Sequence, residues 1–221
     1  MQRTLLAEFT GTLILVMCGI GTGIMGATLA PGLPGLTLFA NAFATGLTLY
    51  VLITILGPIS GAHLNPAVTL WTMLRGDIGA RTLLAYVAAQ LAGAFAGVLL
   101  THAMFAQPLL QIASTPRTGA NLALSEGVAT FGLILTIAGG LRHAPAQLPA
   151  LVGAWIAAAF WFTGSASFAN PAVTFARMFS DTFTGIRPID APAYVLAELA
   201  AALIAGTTLG KLFPRDRKSV V

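Results

Sequence analysis

"HLNPAVTL" at 63–70 and "FANPAVTF" at 168–175 share one pentapeptide, Asn65 to Thr69 and again Asn170 to Thr174. Proline removes a backbone donor and breaks helix interiors, and asparagine is costly to bury without a partner. Both copies nevertheless sit in strongly apolar surroundings. Each is followed by about ten moderately apolar residues, half of the roughly 20 needed to cross a bilayer. Proline is well tolerated at the first position of a helix. The pattern therefore predicts two short helices that start at Pro66 and Pro171 and run half-way through a membrane.

The rest of the chain fits that setting. Of 221 residues, 57% are hydrophobic and 8% charged, with a mean hydropathy of +0.86. A soluble domain carries about 25% charged residues. Too few polar side chains remain here to clothe a water-facing surface, which argues against a soluble all-α protein. Six apolar runs are predicted as membrane spans, at 4–27, 36–56, 82–105, 121–141, 149–163 and 191–212. Arg3 leads directly into the first run without a cleavage site, so no separate signal peptide is expected. Cys18 is the single cysteine, which excludes an intrachain disulfide. No His, Cys or carboxylate cluster has metal-ligand spacing and no nucleophile has a nearby base, so neither cofactor, metal nor enzymatic activity is expected. The basic residues lie at ends and loops and read as an orientation signal rather than a nucleic-acid surface. With the N-terminus cytoplasmic, Arg3, Arg75, Arg81, Arg142, Lys211, Arg215, Arg217 and Lys218 lie inside, against Arg117, Arg177 and Arg187 outside. Both termini are therefore expected in the cytoplasm.

The two halves can be laid over one another. "LAEFTGTLIL" at 6–15 matches "LSEGVATFGL" at 124–133, pairing Glu8 with Glu126. "QLAGAFAGVLL" at 90–100 matches "ELAAALIAGTTL" at 198–209, pairing Gln90 with Glu198. One domain spanning 1–221 is expected, with repeats at about 1–110 and 118–221. Three spans per half force the second half upside down in the membrane. The two short helices then enter from opposite faces and meet at the midplane, proline ends together. Each N-terminus carries about half a positive charge from its aligned peptide dipoles. A cation would meet two positive ends there, and a neutral hydroxylated solute would meet hydrogen-bond donors.

The paired boxes, the "AEFTGT" opening and the "SGAHLNPAVT" segment resemble the aquaporin family (major intrinsic proteins) over essentially the whole chain. The resemblance implies an all-α membrane protein with six transmembrane helices and two re-entrant half-helices, a pore in each subunit, and a homotetramer. Pore-lining roles follow for Asn65, Pro66, Ala67, Asn170, Pro171 and Ala172. Family members usually read NPAR at the second box, and that arginine forms a narrow constriction. Here its position is Val173. The family pattern brings Thr45 and Ser167 to the same constriction, with either Ala158 or Phe160 from the fifth span. Such a filter would be wide, weakly polar and without a fixed cation. "FANPAVTFAR" resembles a bacterial branch associated with arsenic handling, which implies the plasma (inner) membrane and neutral metalloid hydroxides or methylated arsenicals as solutes. Glycerol-like solutes and water are further candidates. An ordinary water or glycerol facilitator and an ion-coupled secondary transporter are the alternative readings.

Several residues carry two readings each. Asn65 and Asn170 suit helix capping as well as pore lining. The Thr45 hydroxyl can instead bond its own helix backbone. Arg177, one turn after Val173, is placed in an outer vestibule, complementing the end of its half-helix; reaching back to the filter is the alternative. Glu8 and Glu126 are expected to hold the re-entrant loops rather than to relay protons. His63 is expected to line the cytoplasmic half of the pore, with packing as the alternative. His102 and His143 are expected at the interface. Gly93, Gly97, Ala202 and Gly206 suit close helix crossings.

Overall fold

A computed structural model describes residues 1–214, and the regular elements among them are helical. Arg215, Arg217 and Lys218, which enter the orientation argument, lie outside the described residues. The helices are α1 (Gln2–Leu29), α2 (Pro34–Ser60), α3 (Pro66–Leu74), α4 (Ala80–Met104), α5 (Ala120–His143), α6 (Leu148–Phe162), α7 (Pro171–Arg177) and α8 (Ala191–Leu212). A short 3₁₀ turn, Pro145–Gln147, leads into α6. Six of these segments are long and apolar enough to cross a membrane. The other two, α3 and α7, have 9 and 7 residues and begin at the prolines of the repeated box. The order long, long, short, long thus occurs twice.

Several long helices outrun the apolar stretches that mark them in the sequence. α2 continues through Pro58 to Ser60, and Gly61 then stops it in the left-handed region at φ 88°. Hydropathy ends at the edge of the bilayer core, whereas a helix ends only where its backbone bonding stops, and glycine takes the left-handed cap without strain.

In each half the first long helix packs against the other two, and in the first half the crossing with α4 is made by small residues. α1 lies against α2 and α4, and α5 against α6 and α8. Where α4 crosses α1, a Cβ on Gly93 would run into the Phe9 carbonyl, and one on Gly97 would meet the Leu13 carbonyl at 2.6 Å. Gly206 of α8 faces Leu74 at the end of α3, and Ala202 is fully buried. With no hydrophobic driving force between helices in lipid, such backbone contact supplies the packing.

The connections after α4 and α7 are tied together. Asp190 accepts from Arg117 N at 2.8 Å, Thr118 Oγ1 at 2.7 Å and Arg187 Nε at 2.9 Å. Arg117 also donates from Nε to the Gly185 carbonyl at 2.7 Å. His102 departs from the interfacial position expected of it. It is fully buried, with Nδ1 2.9 Å from the Leu109 carbonyl and Nε2 2.9 Å from Ser180 Oγ. A carbonyl only accepts, so Nδ1 carries hydrogen and the imidazole joins the two connections. His143, by contrast, is exposed at the end of α5.

Gly93→Leu is expected to prevent α1 and α4 from closing, seen as loss of the monodisperse detergent-solubilised species. Asp190 yields a pH dependence. The Arg187 hydrogen bond, helped by those of Arg117 and Thr118, holds its carboxyl at about 2 instead of 3.8, against the opposing effect of burial. A depressed native value stabilises above the unfolded value and is lost as pH falls through the native one. The midpoint of thermal unfolding is expected to drop between about pH 4 and pH 2. Asp190→Asn should flatten that drop.

Candidate functional site

The chain approaches each half-helix through an unusual backbone. Ala62 and Leu64 have φ of 46° and 50°, and Ser167 and Ala169 have 45° and 48°. These are positions −3 and −1 relative to Asn65 and Asn170. A non-glycine residue there costs roughly 1–2 kcal/mol. The distortion leaves backbone N–H groups without helical partners, and buried carboxylates collect them. Glu8 accepts from Ser60 Oγ at 2.6 Å, His63 N at 3.0 Å, Leu64 N at 2.7 Å and Gln90 Nε2 at 2.8 Å. Glu126 accepts from Phe168 N at 2.9 Å and Ala169 N at 2.6 Å. Glu198 takes the next amide, Asn170 N, at 3.0 Å and Thr174 Oγ1 at 2.9 Å. All three carboxylates are fully buried.

The asparagines close the arrangement. Each caps its own half-helix: Asn65 Oδ1 accepts from Ala67 N at 2.8 Å, and Asn170 Oδ1 from Ala172 N at 2.9 Å. Each also reaches the other loop. Asn65 Nδ2 donates to the Ala169 carbonyl at 2.7 Å, and Asn170 Nδ2 to the Leu64 carbonyl at 2.8 Å. The two helix N-termini are therefore fixed against each other. An amide group has two hydrogens, and each exchange uses one. Pro66, Ala67, Pro171 and Ala172 are buried behind the asparagines.

A cavity of about 220 Å³ runs past this junction. Its wall includes Arg75 and Asp77, beyond the end of α3, and Arg177 at the end of α7, so a small volume is drawn out along both half-helices. Asn65 and Asn170 both line it, as does His63, whose Nδ1 lies 3.2 Å from Thr69 Oγ1. On the α7 side the wall is made by Thr45, Phe160, Ser167, Val173 and Arg177. Thr45 donates to Asn41 Oδ1 at 3.2 Å rather than to its own helix backbone. Asn41 in turn donates to the Gly19 carbonyl at 3.0 Å. Between the two candidates from α6, Phe160 faces the cavity, one turn on from Ile156, which also lines it. Ala158 is exposed. Two residues along a helix turn the side chain by about 200°, which carries Ala158 to the opposite face.

Arg177, expected in an outer vestibule or reaching back to the filter, lines the cavity. It is 5% exposed, and its guanidinium lies over the Phe168 ring, 4.0 Å from the centroid. A cation one turn after Val173 thus joins the same cavity wall as Thr45, Ser167 and Val173. Three residues had escaped notice in the sequence: Phe168, Asn41 and Gly19. Asn41, one turn before Thr45 in an apolar helix, is the one whose type gave a signal.

The class follows from this geometry. Six long apolar helices enclose two half-helices whose capped ends meet beside a lengthwise cavity, which is the build of a membrane channel and not of an enzyme. The chain belongs to the major intrinsic protein family, whose profile matches residues 1–164, a range that stops short of the second box. It is 52% identical over 205 residues to the aquaglyceroporin AqpS of Rhizobium meliloti (strain 1021), covering 93% of this chain and 88% of that one. Aquaporin TIP1-2 of Zea mays is 36% identical over 186 residues, 78% of this chain and 72% of the relative. The X-ray structure of the aquaglyceroporin from Plasmodium falciparum shares the fold, with a TM-score of 0.72 at 19% identity over 96% of this chain and 98% of that one.

The carboxylates predict different tolerances. Both Glu126 oxygens accept from backbone N–H groups, so Glu126→Gln must turn a donor against one of them. Glu198 Oε2 has no hydrogen-bond partner among the described residues. Glu198→Gln can place its amide nitrogen there and keep both bonds to Oε1. Glu126→Gln is expected to cost about 1–3 kcal/mol, the range for an unsatisfied buried group, and Glu198→Gln much less. Denaturant titration of the purified protein compares the two.

Proposed function

We propose that this protein is a passive channel for small uncharged solutes: glycerol-like polyols, trivalent metalloid hydroxides or methylated arsenicals, and water. The observation that carries the reading is the reciprocal exchange between Asn65 and Asn170 beside the cavity. It fixes two positive helix ends at one point and keeps further amide hydrogens for a passing acceptor. Irregular backbone at membrane depth belongs where it lines a cavity. The pattern suits a neutral hydroxylated molecule and opposes a cation. The similarity to an aquaglyceroporin supports the polyol class. The metalloid class rests on chemical likeness: arsenous acid is neutral at ordinary pH and presents hydroxyls like a small polyol.

Around that function we read the chain as one channel domain built from two inverted repeats. Its termini lie in the cytoplasm, and it sits as a homotetramer in a bacterial inner membrane. Pore lining falls to Asn65, Asn170 and His63, with Pro66, Ala67, Pro171 and Ala172 backing the asparagines, selection to Thr45, Phe160, Ser167 and Val173, and loop support to Glu8 and Glu126. A cavity whose wall reaches residues at the ends of both half-helices favours a channel over an ion-coupled transporter.

Stopped-flow light scattering on proteoliposomes, paired with uptake of arsenous acid and methylarsenite, tests this. Flux of glycerol and arsenicals linear in concentration and indifferent to ion gradients is the expected result. Saturable flux that collapses with the proton or sodium gradient would overturn it. Val173→Arg, which crowds the same stretch of wall, is expected to lower glycerol permeability roughly tenfold, a barrier increase of about 1.4 kcal/mol, and water permeability less.

A further inference from the structure

We propose that Arg177 is the selecting cation of the outer cavity, donating to hydroxylated neutral solutes and turning cations away. This rests on the channel reading above.

Three observations converge on it. Arg177 is only 5% exposed yet is part of the cavity wall. Among the described residues no carboxylate lies within ion-pair distance of it and no side-chain or backbone acceptor takes its N–H groups. The nearby acids Glu126 and Glu198 accept the amides of residues 168–170, lie outside ion-pair distance of Arg177 and do not line the cavity. A buried cation with five fixed donors and no acceptor is expensive unless something that enters the cavity accepts from it. The second observation is independent. Ser167 Oγ, on the same wall, is also buried without a hydrogen-bond partner. One wall thus carries two unsatisfied polar groups of different type, a planar donor and a hydroxyl able to donate and accept. Hydroxylated solutes use both.

The third observation is how firmly Arg177 is held. Phe168 is a positioning residue: Glu126 fixes its backbone N–H, and its ring carries the Arg177 guanidinium. Arg117 also lies over that ring, 5.1 Å from the centroid. Arg117 is anchored to the Gly185 and Phe183 carbonyls, which leaves Arg177 as the cation available to the cavity. On the far side, Gly19 leaves room: a Cβ there would stand 3.5 Å from Arg177 Nη2. The Gly19 carbonyl already accepts from Asn41. A fixed positive charge in a low-dielectric wall repels a passing cation much more strongly than it would in water.

The test uses the full chain in proteoliposomes, with glycerol as the neutral probe and methylammonium, at a mildly acidic pH that keeps it protonated, as the cation. The wild type is expected to pass glycerol and exclude methylammonium. Arg177→Gln is expected to raise methylammonium entry at least roughly tenfold and to lower glycerol flux, while Arg177→Lys, which keeps the charge, retains most of the exclusion. Phe168→Leu keeps every charge and removes the platform, and is expected to leak methylammonium as Arg177 leaves the wall. Folded Arg177→Gln or Phe168→Leu protein with wild-type selectivity for both probes overturns the inference and leaves the channel reading standing. A wild type that passes neither probe overturns both.

Discussion

Inside a bilayer a backbone N–H that leaves its helix has no water to turn to. Much of this molecule answers that constraint. The repeated boxes need irregular backbone before them, because a half-helix must begin in the middle of the membrane. That backbone exposes amides at residues 63, 64, 168, 169 and 170, and buried carboxylates from α1, α5 and α8 accept them. A charged group is costly at that depth, and so is an orphaned amide. Brought together as hydrogen bonds, each removes much of the other's cost. The glutamates are thus part of the loop's backbone bonding, supplied from neighbouring helices.

In the channel proposed above, rigidity at the junction is what would let the cavity discriminate. Selection between small solutes depends on fixed donors that do not reorganise to suit whichever molecule arrives. The asparagines are capped, exchanged and backed by buried prolines and alanines. Around the outer stretch the same logic extends sideways through other residues: Thr45 leans on Asn41, Asn41 on the Gly19 carbonyl, and Arg177 on Phe168. Thr45 and Arg177 thus each have a partner behind them that sets their direction. The small crossing residues serve the same end more remotely, since α1 presents Glu8 and Gly19 correctly only if it lies close against α4.

Much of the fold was legible in the sequence because its signals are local or repeated. Apolar length marks spans, proline marks the start of a half-helix, and the matched pairs Glu8 with Glu126 and Gln90 with Glu198 mark the loop supports. The lining side chains were less legible. Ala158 and Phe160 differ by one choice of register, and only the face that α6 turns inward separates them. His102 lies near a span end in sequence, and only the folding of two distant connections over it makes it a core residue. Arg177 carries the clearest lesson. Its position one turn after Val173 allowed both a vestibule and a return to the wall. What decides is Phe168, a residue of ordinary type, whose ring offers a surface that no spacing rule describes.

The reciprocal asparagine bonds also impose an order on assembly. They span 104 and 106 residues of sequence. While the chain is being made, α1 to α4 emerge with Asn65 lacking its carbonyl and Leu64 lacking its amide. Nothing in the first half can supply either. The first half-helix can therefore reach its final bonding only after α5, α6 and the second box have arrived, and the Asn170 amide finds its acceptor only once α8 brings Glu198. The centre of the molecule, the most constrained place in the finished structure, is the last to be completed.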